Sequence, residues 1–292
     1  MSFNEDQLHQ LFAESFVSRP DLLGPGDDCA ILMNPPAGFC ISVDQLIEGV
    51  HFTESASFSQ IAGKLLGRSL SDLAAAGAEP YACTLTCAFP QRFSCQQSAE
   101  LCKEIIRVAA SYNLPIVGGD CSEAPQLLLT CTVMGKTSTS VPGRGGASHG
   151  EKIFVSRPLG GAVQSGRHLC PNPELVLGQH LTQHYEPSAM IDLSDGLHND
   201  LLRILRASGV GAKIFTDRIP LSAGCDWQQA VCEGEDYGLL IVLTPKKSSR
   251  MLEDDFFEQH PLFCIGEIVD GVQLQYYLDD CEVQLHDKPF SY

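Results

Sequence analysis

The sequence lacks several patterns that would place it in well-known classes of protein. Its 292 residues contain no apolar run close to the roughly 20 residues of a membrane-spanning helix. It carries 19 Lys and Arg against 36 Asp and Glu, a formal charge of −17. Nucleic acids and anionic membrane surfaces attract basic proteins, so we expect neither as a partner.

Several catalytic signatures are also absent. There is no GxxxxGK[ST] loop of the P-loop nucleotidases, no GxSxG nucleophile motif, no HExxH and no Cys/His zinc pattern. The 13 cysteines include no CxxC pair. We therefore expect free thiols in a reducing cytoplasm, most of them small buried side chains. The first ten residues, which are acidic and carry no basic apolar signal, favour the same cytoplasmic location.

What the sequence does contain is six short acidic motifs distributed along its whole length. They are Gly26-Asp27-Asp28, Ser42-Val43-Asp44, Ser71-Asp72, Gly118-Gly119-Asp120, Asp192-Leu193-Ser194-Asp195-Gly196 and Gly234-Glu235-Asp236-Tyr237. Most of these carboxylates close an apolar, strand-like run or lie beside Gly or Ser, so they can converge in one cleft. Converging carboxylates repel each other unless cations lie between them, and clustered oxygen ligands suit Mg²⁺ that also binds phosphates. The motifs predict a phosphate-transfer site with several Mg²⁺ ions.

Each motif alone also has a simpler interpretation. Ser42 and Asp44, two positions apart in a strand, point to the same face and suit one ion. Asp72 interrupts an apolar helical segment, where a charge needs a partner, or it lies on the helix surface. The glycines before Asp120 permit close approach of a phosphate to the backbone, or form a simple turn.

The motif at residues 192–196 precedes a predicted helix. A helix N-terminus binds anions through its free N–H groups, but Ser194 or Asp195 could equally cap that helix. His51 is, as a lone histidine, more often structural than functional. Arg144 lies in a Gly-rich connector and either clamps a phosphate or is solvated.

The pattern of elements predicts two domains. Strand-like and helix-like segments alternate in both halves, which favours an α/β or α+β fold in each. Residues 137–150 are rich in Ser, Thr and Gly and predict a connector. With the chain length, this indicates an N-terminal domain over residues 1–137 and a C-terminal domain over residues 138–292.

Taken together, the motifs resemble thiamine-monophosphate kinases. The resembling stretches occur in the order of that family and span most of the chain: GPGDDCAIL (24–32), ISVDQLIEGVHF (41–52), GRSLSDLAAAGAEP (67–80), IVGGDCSEAP (116–125), SAMIDLSDGLHNDL (188–201) and GEDYGLLIVL (234–243). The resemblance implies a two-domain aminoimidazole ribonucleotide synthetase-like fold, shared with selenophosphate synthetase and a hydrogenase-maturation factor. In that superfamily the N-terminal domain commonly forms the sheet or barrel of a homodimer.

The resemblance also implies roles for particular residues, with ATP and thiamine monophosphate as substrates and several Mg²⁺ ions as cofactor. The implied Mg²⁺ ligands are Asp28, Ser42, Val43, Asp44, Asp72, Asp120, Asp192 and Asp195. The implied ATP contacts are Gly119, Asp120, Arg144 and Ser194. The implied contacts to thiamine phosphate are His51, Glu235 and Phe290. Transfer would be direct and in line, with no covalent intermediate on a side chain.

The sequence departs from the family pattern at several positions. Val43 stands where the family often has Thr, which Val can replace if the ligand is the backbone carbonyl. Gly238 replaces the last acid of GEDYE. Residues 157–161 replace a small-residue stretch and lead quickly to His168, and residues 170–174 lose both arginines of an Arg-Pro-x-Pro-Arg pattern.

Two other functions stay open at this point. One is a different ATP-dependent enzyme of the superfamily, a cyclo-ligase or a selenophosphate synthetase. EGVHF and GEDY weigh against it, as does the absence of an N-terminal Gly-rich loop with a reactive Cys. The other is a non-catalytic nucleotide-binding relative, which retention of every predicted metal acid disfavours.

Overall fold

A computed structural model describes residues 5–16, 19, 21–23, 31–32, 38–137, 141–251 and 253–290. The chain divides into two compact units. The first comprises Met1–Leu73, Ala78–Thr139 and Leu169–Pro171, and the second comprises Ala74–Gly77, Ser140–His168 and Asn172–Tyr292. Within these described ranges, no helix is long and apolar enough to cross a membrane.

The first unit is built around a four-stranded sheet. Its elements are α1 (Glu5–Ser15), β1 (Leu22–Leu23), β2 (Ile31–Leu32), β3 (Phe39–Ile47), α2 (Phe58–Ala75, whose last two residues group with the second unit), β4 (Glu79–Pro90), α3 (Cys95–Ser111), β5 (Ile116–Ala124) and β6 (Leu128–Lys136). The sheet has the order β3-β6-β4-β5, and β1 and β2 form a separate antiparallel pair. β6 is antiparallel to both its neighbours, whereas β4 and β5 are parallel. β3 and β5 are therefore the two edges of the sheet.

One face of this sheet packs against helices. Ser94 caps α3 in a capping box with Gln97, and the buried side of α3 repeats at helical spacing through Leu101, Ile105 and Ala109. The other face of β3 is open, because Ile41 and Val43 are 63% and 62% exposed. The alternation along β3 thus separates a buried face from an exposed apolar one.

The second unit is built around a seven-stranded sheet. Its elements are β7 (Lys152–Val155), α4 (Leu175–His184), β8 (Ala189–Asp192), α5 (Leu197–Ser208), β9 (Gly211–Phe215), α6 (Trp227–Cys232), β10 (Leu239–Leu243), α7 (Pro245–Met251), α8 (Phe256–Gln259), β11 (Phe263–Val269), β12 (Leu274–Leu278) and β13 (Cys281–Val283). The order is β13-β12-β9-β11-β7-β10-β8, and only β12 and β9 are parallel.

Both faces of this sheet are covered, which explains the continuous apolar run of β10. Leu240 and Val242 pack into the core that α5 covers. Leu239, Ile241 and Leu243 pack into a second core with residues of α4. Every residue of β10 is buried. Because a core covers each face of this strand, none of its positions is polar.

Several predicted elements agree with the structure. The sequence predicts a helix near residues 175–184, a strand over residues 263–269 and a helix that Ser94 caps, and the structure has all three. The sequence also predicts a single helix over residues 248–258, which is wrong, since two short helices, α7 and α8, occupy this region. The short elements α6, β12 and β13 were not predicted.

The predicted position of two acids at strand ends is also wrong. Asp44 lies inside β3, and residues 118–120 lie inside β5 rather than in a turn after it. Both strands are edges of the sheet that the described residues form, so no described strand pairs with their outer side. An edge strand can therefore present a polar residue in its middle, as a strand end would.

Gly119 has a packing role in β5 that explains its residue type. A β-carbon there would lie 1.9 Å from the Leu85 carbonyl oxygen of β4, whereas one on Gly118 would meet only a Thr84 methyl group at 3.9 Å. The parallel β4–β5 pair thus approaches too closely at residue 119 for any side chain.

We expect Gly119→Ala to lower the free energy of unfolding by about 2 kcal/mol or more, since strand β5 must move away from β4. Gly118→Ala is the matched control and should change it by less than about 1 kcal/mol. Urea denaturation of both variants measures the difference. Equal losses in the two variants would contradict the proposed close approach.

Candidate functional site

Three of the predicted metal ligands lie together in the first unit. The Ser42 hydroxyl donates a hydrogen bond to the Asp72 carboxylate, which joins β3 to α2. Asp44, two residues further along β3, accepts a hydrogen bond from Arg68 Nε of α2 at 3.2 Å. Ser42 and Asp44 therefore point to the same face, as the spacing predicted. Arg68 and Asp72 are one helical turn apart, so α2 supplies both partners.

This group fits a hard cation. Ser42, Asp44 and Asp72 offer only oxygen donors, the kind that Mg²⁺ prefers. Asp44 Oδ2 is buried and has no hydrogen-bond partner among the described residues. A buried oxygen without a partner carries an uncompensated desolvation cost, which a bound cation would remove. The Val43 side chain lies on the exposed apolar face and offers no ligand atom of its own.

Asp120 lies at the opposite edge of the same sheet. β3 carries Asp44 and β5 carries Asp120, with β6 and β4 between them. Since neighbouring strands are about 4.8 Å apart, the two edge strands are separated by roughly 14 Å. Asp120 and its neighbour Gly119 are exposed. One chain does not bring Asp44 and Asp120 to a common ion, because Mg²⁺–oxygen distances are only about 2.1 Å.

His51 is held in a defined orientation by its own loop. Its Nδ1 accepts a hydrogen bond from the Ile47 amide at 3.0 Å, and the Gly49 amide donates to the Phe52 carbonyl at 2.8 Å. With Nδ1 as acceptor, the neutral ring carries its proton on Nε2. Glu48 fixes the loop from the other side by accepting the Leu127 amide at 2.9 Å and pairing with Arg92.

In the second unit, the predicted residues of the Asp192–Gly196 motif lie between β8 and α5. Asp192 is the last residue of β8 and is 7% exposed. The Ser194 carbonyl accepts the Glu235 amide at 2.8 Å, and the Leu193 carbonyl accepts the Tyr237 amide at 2.8 Å. Two of the predicted motifs are thus joined through their backbones. Neither Ser194 nor Asp195 caps α5, whose N-cap is Gly196 without a side-chain bond.

The Gly234–Tyr237 turn is strained. Glu235 and Tyr237 have φ angles of 69° and 51°, in the left-handed region that residues other than Gly rarely adopt. Such strain persists where surrounding hydrogen bonds determine it, and it is concentrated at functional sites. Phe290 packs on the same turn, since a β-carbon on Gly234 would lie 2.8 Å from its ring. The structure therefore brings Ser194, Glu235 and Phe290 together.

Sequence reasoning missed two charged residues of this region, Asp200 and Arg203. Asp200 Oδ2 accepts the Asp195 amide at 3.0 Å, and Arg203 pairs with both Asp195 and Asp200. Asp200 is completely buried, and this burial raises its pKa to about 7, although Arg203 opposes the shift. The signal in the sequence was an acid on the apolar side of α5, three residues after Leu197 and one before Leu201.

The remaining predicted residues are not part of these groups. Asp28 lies outside the described residues. Arg144 is exposed in a stretch without regular structure, and its carbonyl accepts a 3.4 Å hydrogen bond from Ser208. Over the described ranges, no three His, Cys, Asp or Glu residues are arranged to hold a metal ion. Cys121 contacts Cys87, whose pKa is raised by its hydrogen bonding with Cys102 and Cys121 and by burial.

Residues 157, 174 and 238 are three of the positions at which the sequence departs from the family pattern, and Arg157 lies against the other two. Arg157 donates to the Glu174 carboxylate, to the Asn172 carbonyl at 2.8 Å and to the Asp236 carbonyl at 3.2 Å. A β-carbon on Gly238 would lie 2.8 Å from Arg157 Cγ. Gly238 therefore leaves the room that the Arg157 side chain occupies.

A second arginine holds the same turn. Asp236 is almost fully buried and accepts hydrogen bonds from Arg167 at 2.8 Å and from the Gly160 amide at 3.1 Å. Burial nevertheless raises the pKa of Asp236 to about 6. The unusual segment at residues 157–167 is thus tied to the acidic turn by both of its arginines.

Comparison with known proteins identifies relatives along most of the chain. The N-terminal and C-terminal domain families described as AIR synthase related protein match residues 26–137 and 137–279. A thiamine-monophosphate kinase of Rhodopirellula baltica is 32% identical over 268 residues, which is 85% of this chain and 83% of the relative.

Solved structures agree with this result. The crystal structure of a thiamine-monophosphate kinase from Stenotrophomonas maltophilia K279a has a TM-score of 0.80 and 30% identity, covering 94% of this chain and 95% of that chain. A hydrogenase maturation protein of E. coli shares the fold, with a TM-score of 0.79 at 20% identity and 98% of both chains covered. These matches confirm the predicted two-domain fold class and the resemblance that the motifs indicated.

We expect Gly238→Ala to lower the free energy of unfolding by about 1–3 kcal/mol, because the added methyl group displaces the anchored Arg157 side chain. The same change in an Arg157→Ala background should cost less by about 1 kcal/mol. Chemical denaturation of the two single variants and the double variant gives this coupling. Additive losses would contradict the shared-space explanation.

Proposed function

We propose that this chain, which belongs to the thiamine-monophosphate kinase family, transfers the γ-phosphoryl group of ATP to thiamine monophosphate and releases ADP and thiamine diphosphate. The observation that carries the proposal is the match to kinases of this family over most of the chain. The oxygen-donor group of Ser42, Asp44 and Asp72 supports it, since Asp44 Oδ2 is buried without a partner. Residues 1–137 would form the domain that binds ATP and Mg²⁺ and dimerises, and residues 138–292 would form the C-terminal synthetase-like domain.

The charge of the acceptor, thiamine monophosphate, determines which kind of catalysis the protein must supply. Its phosphate is a monoester that is already ionised near neutral pH, so no strong general base is required. A phosphate oxygen of the acceptor forms a bond to the γ-phosphorus, and the bond to the bridging β–γ oxygen breaks, with its electron pair leaving on ADP. The main obstacle is repulsion between two anions, so positioning and charge stabilisation are the task of the site.

The residues divide this task between them. Bound Mg²⁺ ions would supply the positive charge that offsets the phosphates. Ser42, Asp44 and Asp72 would hold such ions, together with Asp28, the Val43 carbonyl, Asp120, Asp192 and Asp195. Gly119, Arg144 and Ser194 would contact ATP. His51 would donate from Nε2 to the acceptor phosphate, and Glu235 and Phe290 would contact the thiamine rings.

We also propose a homodimer through the first unit. Among the described strands, β3 and β5 are the edges of the sheet, and each carries one of the two acids, Asp44 and Asp120, that a single chain keeps apart. If β3 of one copy lies beside β5 of its partner, the two acids can share one site. The exposed side chains of Ile41 and Val43 would then be covered as well. A monomer at micromolar concentration in light scattering would reject this arrangement.

Asp44→Asn and Asp120→Asn should each lower thiamine monophosphate-dependent ADP release about 100-fold or more, as loss of one preorganised charge-stabilising group does. Their melting temperatures should stay close to that of the parent protein. Glu100→Gln, an exposed acid on α3, is the matched control and should keep full activity. Near-normal turnover of both variants at low Mg²⁺ would reject the metal site.

Mixing the two inactive variants by co-expression tests whether the site is shared. Random pairing should restore about a quarter of the parent activity, because half of the dimers are mixed and each has one intact site of two. No recovery would mean that Asp44 and Asp120 do not act across two copies. Omitting thiamine monophosphate in the same assay separates the kinase from a cyclo-ligase, a selenophosphate synthetase or a non-catalytic relative.

His51→Ala and Glu235→Ala should raise the apparent KM for thiamine monophosphate roughly tenfold, since each loses a hydrogen bond to a charged or polar group. The KM for ATP should be nearly unchanged. His51→Gln should lie between, because its amide can replace the Nε2 donor. Steady-state kinetics with both substrates, alongside melting temperatures, measures this. A selective effect on ATP, or lost stability without a KM change, would reject the assignment.

A further inference from the structure

Three residues of α5 contact the amide, the carbonyl and the carboxylate of Asp195; they are Asn199, Asp200 and Arg203. The Asp195 amide donates to Asp200 Oδ2 at 3.0 Å, and its carbonyl accepts from Asn199 Nδ2 at 3.1 Å. Its carboxylate pairs with Arg203. The backbone amide, the backbone carbonyl and the side chain of Asp195 are therefore all held by α5.

The same three residues hold the neighbours of Asp195. The Ser194 backbone also lowers the pKa of the Asp200 carboxylate, although burial outweighs this effect. Asn199 Nδ2 donates a second hydrogen bond, at 3.0 Å, to the Phe290 carbonyl, and the Phe290 amide donates to the Cys232 carbonyl at 2.8 Å. One short stretch of α5 therefore connects the predicted ATP side of the site with the predicted thiamine side.

The place of Asp200 in the first turn of α5 does not by itself explain its contacts. An acid there stabilises a helix through the dipole wherever its side chain points. Asp200 instead accepts the amide of Asp195, which precedes the helix, and no part of it is exposed to water. A buried carboxylate in this place is costly unless its partners are present, so its geometry is strongly constrained.

In this cluster one arginine pairs with two carboxylates. Arg203 bridges the carboxylates of Asp195 and Asp200 with one positive charge. The guanidinium reduces the repulsion that would otherwise turn Asp195 away. Arginine suits this position because its planar fork reaches two carboxylates at once.

We propose that Asn199, Asp200 and Arg203 are positioning residues that hold Ser194 and Asp195 in place for the nucleotide phosphates and their cation. This inference rests on the proposed function. It assigns to the buried face of α5 a role that neither the motifs nor the family resemblance gave to these residues. None of the three needs to touch a substrate.

The first test needs no substrate. Hydrogen exchange, measured on the full chain, should show a protected amide at Asp195. Asp200→Ala should speed exchange at this amide at least about tenfold, since its acceptor is gone. Arg206→Ala, which removes an exposed charge from the same helix, is the control and should leave the Asp195 amide protected. Unchanged protection in Asp200→Ala would overturn the proposal.

The second test uses kinetics. Asp200→Ala and Arg203→Gln should raise the Mg²⁺ concentration for half-maximal activity and the KM for ATP by about 10-fold to 100-fold, as loss of residues that orient metal ligands does. Asp200→Asn, which keeps an acceptor for the Asp195 amide, should recover part of the loss. A purely structural role would lower the melting temperature and leave both constants unchanged, which would overturn the proposal.

A milder variant covers the case in which Asp200→Ala does not fold. Asn199→Ala removes two donors without leaving a buried charge, so it should fold. This variant should raise the KM values for ATP and for thiamine monophosphate together, at least about threefold. The reason is that Asn199 connects the predicted ATP side of the site with the predicted thiamine side. No change in either constant would contradict the positioning role of Asn199. If the parent protein itself shows no kinase activity, the proposed function fails, and hydrogen exchange still decides on the positioning residues.

Discussion

Compensation of buried carboxylates by arginine is the interaction on which both units depend. The chain has 36 acidic residues against 19 Lys and Arg. At each candidate site an arginine offsets the acids: Arg68 for Asp44, Arg203 for Asp195 and Asp200, and Arg167 for Asp236. A buried carboxylate without a partner costs several kcal/mol, so these arginines are a condition for acids to remain inside the protein.

The compensation is incomplete at the places where a cation is expected. Arg68 contacts one oxygen of Asp44, while the other is buried without a partner among the described residues. Arg203 is shared by two carboxylates. Each group is thus held in position before any ligand binds but keeps negative charge. Such preorganised charge stabilises a ligand without a further cost of rearrangement.

The departures from the family pattern follow the same physical logic. Arg157 fills space that a side chain at residue 238 would occupy, and it pairs with Glu174 where the family has arginine. With Arg167 on Asp236, the altered segment holds the strained turn that carries Glu235. The substitutions in this region therefore compensate each other, and the turn keeps its place beside Ser194.

Much of the fold could be predicted from the sequence because local patterns report burial. The apolar residues 237–243 indicated the strand β10, Ser94 marked the start of α3, and the ordered acidic motifs indicated the family. The sequence could not determine which elements meet. That β3 and β5 are opposite edges follows from pairing between distant residues, and so does the separation of Asp44 from Asp120.

The role of Asp200 depends on tertiary structure in the same way. The sequence by itself determined that an acid lies on the apolar side of a helix, where a charge needs a partner. Only the folded chain decided that the partners are Arg203 and the Asp195 amide. Periodicity records how deeply a residue is buried, whereas the groups that surround it are set by the packing of the whole unit.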